Sequence, residues 1–90
     1  MDERLLALEQ HANAARKMWA AVVLAAVDDA IRDNRKTGKG TIYLRRWLSS
    51  RDGAEVLHNA GLDAGERVTA GLVAYVERGA LTSGGLTRPQ

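Results

Sequence analysis

The sequence predicts an all-α protein in which a long N-terminal helix packs on a compact, helix-turn-helix-like unit of three shorter helices. Three observations favour this fold. Apolar residues recur at steps of three and four through the first 34 residues, acidic capping residues precede two later apolar stretches, and no segment alternates with the period of two typical of a strand. At 90 residues the chain is one domain, expected to span residues 1–81 and to end in a disordered tail at 82–90.

The first helix is predicted to carry one apolar face along its length. Six residues fall on that face: Leu5, Leu8, Ala12, Ala15, Trp19 and Val22. Their spacing is heptad-like, and small alanines let a second helix approach closely. Between Ala20 and Val27 the apolar character spreads around the helix, which predicts burial on most sides. We therefore expect this helix to pack on its own chain and also to form a homodimer through the six-residue face.

A polar loop is predicted after the first helix, at residues 34–40, because Gly38 and Gly40 interrupt the helical pattern. Thr41 fits the capping position of a second, short helix that ends at Ser49. The loop and the short helix together form the most basic part of the chain.

Two further helices are predicted from acidic residues that have a Glu three positions later, which is the spacing of a capping box. Asp52 starts a helix that stops before Gly61, and Asp63 starts one that stops before Gly79. Since the chain has no Phe, its two Trp residues, at 19 and 47, are expected to anchor the core.

The composition gives little support for a catalytic or metal-binding role. The chain has no Cys, and its two histidines, His11 and His58, have no partner at the spacing of a metal site or a catalytic triad. We therefore expect no enzymatic activity, cofactor, bound metal or small-molecule substrate. The longest apolar run, Met18 to Val27, is about half of the ~20 residues needed to cross a bilayer. No membrane attachment is expected, and the predicted location is the cytoplasm.

Residues 53–76 compare with a helix-turn-helix in which Gly61 is the turn glycine. Arg67 stands where that motif requires a buried aliphatic residue, and the second helix of the pair would offer a DNA groove mainly Arg67 and Thr69. The sequence thus favours the shape of this motif over base-specific reading by its second helix. A packed helical hairpin is the simpler alternative.

A family resemblance is carried by the segment Trp-Leu-Ser-Ser-Arg-Asp at 47–52 and by Ala-Gly-Leu-Asp at 60–63, with Val56 between them. In these residues, and in the earlier Trp19 followed by an Ala/Val-rich helix, the chain resembles small helical proteins of alphaproteobacterial phages, prophages and gene transfer agents. The resemblance covers roughly residues 17–76. It implies a mobile-element setting, in which small regulators, transcription-complex adaptors, packaging proteins and anti-defence proteins occur, and it assigns no functional residue.

Charge is distributed unevenly along the chain. Residues 1–34 and residues 52–90 each carry a net charge of −2, whereas residues 35–51 carry +6 without a single acid. We call residues 35–51 the basic segment; its cations are Arg35, Lys36, Lys39, Arg45, Arg46 and Arg51. Clustered positive charge attracts phosphate or an acidic protein surface.

The leading functional hypothesis is a small phage-type regulator that binds nucleic acid, or a transcription or other nucleic-acid complex, through the basic segment. The mechanism would be phosphate neutralisation with little base reading. A protein-only adaptor or inhibitor of a host protein would present the same cations to an acidic protein surface. A third hypothesis is an oligomeric packaging subunit built through the first helix.

Overall fold

The computed structural model describes residues 2–79, which form four α-helices and contain no strand. The helices are α1 (Glu3–Thr37), α2 (Gly40–Leu48), α3 (Arg51–Asn59) and α4 (Glu66–Arg78). The all-α prediction, with a long first helix packed on a cluster of shorter helices, is confirmed. The predicted tail at 82–90 and the predicted domain end at residue 81 lie outside the described residues.

The long helix α1 starts and stops where local chemistry dictates. The Asp2 carboxylate accepts a hydrogen bond from the Arg4 amide at 3.0 Å, which caps the N-terminus. Gly38 ends the helix with a φ of 75°, and its N–H donates to the Asn34 carbonyl at 2.9 Å. The predicted loop at 34–40 was therefore wrong in extent. Helical hydrogen bonding continues to Thr37 and leaves only Gly38 and Lys39 between α1 and α2.

A close backbone contact sets the packing of α2 against α1. A Cβ atom at Gly40 would lie 2.0 Å from the Ala30 carbonyl oxygen, so only glycine lets the two helices approach this far. The expected cap at Thr41 was wrong: the N-cap is Lys39, and no side chain bonds to the helix start there. Backbone proximity to α1, rather than a side-chain cap, positions the start of α2.

The predicted caps of the last two helices also need correction. Ser50 caps α3, because its hydroxyl accepts from the Gly53 amide at 3.1 Å, whereas Asp52 lies inside the helix. Gly65, not Asp63, precedes α4 and provides no side-chain cap. The two predicted glycine stops are confirmed at the backbone level, since Gly61 and Gly79 both have positive φ.

One apolar core joins all four helices. Its fully buried side chains are Ile31, Leu57, Val27 and Val76, and the remaining buried apolar residues are Val23, Ala30, Leu44, Leu48 and Val73. The tryptophans do not anchor it: Trp47 packs at its edge, while Trp19 is half-buried and lies outside the core cluster. Aliphatic side chains from all four helices therefore replace the expected aromatic anchors.

The helices α3 and α4 both pack on α1 but not on each other. No Cα atom of α3 comes within 8 Å of one in α4, whereas α2 contacts both helices. The pair is therefore not a packed hairpin. Contacts with α1 and α2 hold α3 and α4 in the cluster. In a packed hairpin, by contrast, the two helices would stabilise each other directly.

Only the C-terminal half of α1 takes part in the core. Its first buried residue is Val23, and every residue from 3 to 18 is exposed. The longest dimension of the molecule, 52 Å, equals the length expected for a 35-residue helix at ~1.5 Å per residue. The expectation of burial on most sides between Ala20 and Val27 was wrong, because Val22 and Leu24 are 39% and 46% exposed. The N-terminal half of α1 thus projects from the helical cluster.

Candidate nucleic-acid interface

The cations of the basic segment lie on three helices rather than in one loop. Arg35 and Lys36 occupy the last turn of α1, Lys39 precedes α2, Arg45 and Arg46 occupy the last turn of α2, and Arg51 is the first residue of α3. All six side chains belong to exposed residues. The structure therefore places the whole segment on the surface, around the α1–α2 turn and the two ends of α2.

Helix dipoles account for some of these cations but not for all of them. The C-terminus of a helix carries partial negative charge, so Arg35 and Lys36 stabilise the end of α1. Lys39 and Arg51 lie instead at the starts of α2 and α3, where a cation is disfavoured by the dipole. The helix dipoles therefore do not account for these two cations.

Two arginines of the segment are tied to α4. The Arg35 guanidinium donates to the Gly79 carbonyl, and Arg45 forms a salt bridge of 2.9 Å with Glu66. The carboxylate of Glu66 is 77% exposed, so the salt bridge exchanges readily with solvent ions and contributes little to stability. Glu66 therefore partly neutralises the charge of Arg45, whereas Arg35 keeps its full charge because its partner is a neutral carbonyl.

The other four cations have no ionic partner among residues 2–79. They are Lys36, Lys39, Arg46 and Arg51. Lys39 and Arg46 lie seven positions apart, with Ile42 between them at helical spacing, on the side of α2 opposite its buried residues Leu44 and Leu48. Lys39 and Arg46 thus lie on the same outward side of α2, and neither has an ionic partner within residues 2–79.

A shallow depression of about 480 Å³ lies between α2 and α4 beside this surface. Arg45 and Arg46 line it together with one carboxylate, that of Glu77, over an apolar floor that includes Val73. Two guanidinium groups at one depression suit a phosphate group, which they can contact with several N–H donors. The carboxylate of Glu77 opposes such contacts at one edge.

The acidic and apolar members of this surface do not belong to the set of cations predicted from the sequence. Glu66 and Glu77 reach it from α4, 21 or more positions away from the arginines that they accompany, so no local signal shows them. Ile42, near the start of α2, is 53% exposed and adds an apolar side chain to this surface. The alternation of Ile42 with Lys39 and Arg46 at helical spacing was the signal available in the sequence.

The predicted oligomer face lies far from the basic segment. Five of its six residues are exposed: Leu5, Leu8, Ala12 and Ala15 on the projecting half of α1, and Val22 beside the buried Val23. The sixth, Trp19, is half-buried where the helix enters the cluster. No described residue from another helix covers these five, so the structure leaves the face open.

Residues 2–79 contain neither a membrane-spanning helix nor a cluster of metal-ligating side chains. None of the helices there combines the length and apolar character of a membrane span. That part of the chain also contains no group of three or more His, Cys, Asp or Glu residues placed to hold a metal ion.

Comparison with known proteins identifies one family model. It matches residues 11–90 and is described as a family of unknown function, DUF6280. No curated protein and no solved structure matches the chain.

Proposed function

Since the chain belongs to DUF6280, whose function is unknown, we propose a function from its surface: it binds nucleic acid, or a nucleic-acid complex, through the basic segment. The binding is directed to phosphates and serves a regulatory role of the kind found in phages. The proposal also includes a cytoplasmic location and a homodimer through α1. Two basic segments on one particle would bind a polyanion with greater avidity than one.

The observation that carries this proposal is a set of four exposed cations that have no ionic partner within residues 2–79: Lys36, Lys39, Arg46 and Arg51. An unpaired exposed cation binds phosphate without first breaking a salt bridge. Each phosphate that it neutralises releases a condensed counterion, which provides the free energy of binding at low salt. Arg35 adds a fifth charge that is bonded only to a carbonyl.

The same geometry argues against base-specific reading. The unpaired cations are distributed over the ends of three helices and not along one helix face that could enter a groove. The start of α4 carries Glu66, which phosphates would repel. The proposed contacts therefore fix the protein on the backbone of the nucleic acid and leave sequence preference weak.

A titration of labelled duplex DNA and single-stranded RNA, followed by fluorescence anisotropy at several salt concentrations, tests this proposal. The informative variant is Lys39→Ala with Arg46→Ala, which removes two unpaired cations from one surface. Its matched control is Arg4→Ala with Lys17→Ala, which changes the net charge equally at exposed positions outside the segment. We expect the first variant to lose most of the binding at moderate salt and the control to keep it. Equal losses in both variants, or no binding at low salt, would contradict the proposal.

A protein partner is the second candidate, and a specific observation favours it. Ile42 and Tyr43 are 53% and 49% exposed on α2, next to Lys39 and Arg46. Phosphates gain nothing from an exposed isoleucine, whereas a protein interface combines apolar contacts with charge complementarity. An adaptor or inhibitor that meets an acidic host surface would therefore lose binding on Ile42→Ala, while nucleic-acid binding would not change.

A packaging subunit remains the third candidate and separates from the others by mass. The open face of α1 supports self-association, but a packaging subunit requires a discrete large oligomer. Sedimentation velocity distinguishes such a particle from a dimer.

A further inference from the structure

The projecting half of α1 exposes several large apolar side chains. Leu5, Leu8 and Met18 are 59%, 65% and 56% exposed, and no other described helix reaches residues 3–12. A helix of that length without tertiary contacts is marginal in water, because helices shorter than about 12–15 residues rarely form alone. No helix within residues 2–79 covers this face, which therefore offers a surface to a partner.

We propose that a second copy of the chain covers it, with the two α1 helices antiparallel and the twofold axis between Asn13 and Ala14. This inference rests on the homodimer included in the proposed function, but it does not depend on nucleic-acid binding. In this register every residue of the apolar face meets a face residue of the other copy. Leu5 packs on Val22, Leu8 on Trp19, and Ala12 on Ala15, so large residues meet large ones and small residues lie at the axis.

Charge complementarity supports the same register. Glu9 and Arg16 both occupy the position that flanks this apolar face on one side, seven residues apart. The antiparallel register brings Glu9 of each copy beside Arg16 of the other, which gives two symmetric ion pairs. Arg16 is exposed, and among the described residues 2–79 its guanidinium donates only to the neutral amide oxygen of Asn13. It therefore carries a charge that the second copy can pair.

The position of α2 selects the antiparallel orientation over a parallel one. The apolar stripe of α1 continues to Ala26 and Ala30, but there α2 covers it, with Leu44 and Trp47 lying alongside. In a parallel dimer the two α2 helices would meet at this level and compete for the same space. In an antiparallel dimer the two helical clusters lie at opposite ends, and the interface uses the exposed face residues of α1 together with the half-buried Trp19.

Sedimentation equilibrium of the full chain tests the orientation by charge reversal. We expect a dimer for the native chain, and a dimer dissociation constant raised about tenfold by Glu9→Arg, which corresponds to ~1.4 kcal/mol. Adding Arg16→Glu in the same chain restores opposite charges at both symmetric pairs and should return the constant to the native range. A native chain that stays monomeric, or a double variant as weak as Glu9→Arg alone, would overturn the proposal. Circular dichroism verifies that each variant is folded.

Disulfide trapping gives a second readout, and the absence of native Cys makes it clean. Chains carrying Ala12→Cys, uniformly labelled with the heavy nitrogen isotope, and unlabelled chains carrying Ala15→Cys are mixed and oxidised, and the label lets intact mass separate the 12–12, 12–15 and 15–15 disulfides. The antiparallel register predicts mainly the mixed disulfide, since residues 12 and 15 face each other across the axis. Predominant 12–12 and 15–15 disulfides would indicate a parallel pair and overturn the register. Neither substitution touches the basic segment, so failure of the dimer and failure of nucleic-acid binding are distinguishable.

Discussion

The two halves of α1 are both apolar on one side, yet only one of them is buried. Ile31 and Val27, in the C-terminal half, are 0% and 1% exposed, whereas Leu5 and Leu8, in the N-terminal half, are 59% and 65% exposed. The difference arises because three short helices surround the C-terminal half and none reaches the first 12 residues. An apolar helical pattern thus predicts burial against some partner but does not say whether that partner belongs to the same chain.

The largest predicted effect comes from truncating one large side chain in each half of α1 and comparing the losses in stability. Ile31 is fully buried, so Ile31→Ala leaves a cavity in the core and should lower the free energy of unfolding by about 2–5 kcal/mol. Leu8→Ala, measured by urea denaturation at low protein concentration, should change it by less than about 0.5 kcal/mol. A large loss for Leu8→Ala under these conditions would mean that the projecting half is buried within a single chain.

The second prediction concerns the contact that brings α2 onto the buried half of α1. Gly40→Ala places a Cβ atom against the Ala30 carbonyl oxygen and should cost about 1–3 kcal/mol, because the backbones must separate. Gly71→Ala is the matched control, since its Cβ meets nothing within 4 Å inside α4. The control should gain about 0.5–1 kcal/mol from helix propensity. Thermal unfolding of both variants checks the difference in sign.

The third prediction tests the cap that the structure corrects. Ser50→Ala removes the hydroxyl that accepts from the Gly53 amide and should cost about 1 kcal/mol of stability. Ser49→Ala, at an exposed neighbouring position outside this cap, should be nearly neutral. Equal effects of the two substitutions in chemical denaturation would contradict the assignment of Ser50 as the N-cap of α3.

These corrections show what the sequence alone could establish. The helix stops at Gly61 and Gly79 were predictable, because a glycine with positive φ is a strong local signal. Ser50 and Asp52 are both good capping residues, so only the backbone geometry decides between them. The continuation of α1 to Thr37 was hidden by a polar composition typical of loops, although Arg35 and Lys36 favour a helix C-terminus.

The candidate interface was predictable in its cations but not in its surroundings. The six cations of residues 35–51, with no acid among them, are visible in the sequence, and all six are exposed in the structure. The partial neutralisation of Arg45 by Glu66 depends on the packing of α4 against α2, which no local pattern specifies. Likewise, the burial of Trp19 depends on where the projecting half of α1 begins.

The smallest predicted effect follows from that ion pair. Glu66→Gln frees Arg45 and removes an acid from the edge of the surface, so affinity for nucleic acid should rise about twofold to fivefold at low salt, the range of an exposed ion pair. Glu55→Gln removes an exposed acid from α3 and is the matched control for net charge. A gain of the same size in both variants would indicate a general charge effect and no special role for Arg45.

The salt dependence of nucleic-acid binding tests the proposed function most directly. For about four phosphate contacts, the slope of log K against log salt should lie near −3 to −4 on duplex DNA. Removal of Lys39 and Arg46 together should make that slope shallower by about two, since each phosphate contact contributes roughly one. A slope that is the same in the native chain and in this double variant would contradict phosphate binding by the basic segment.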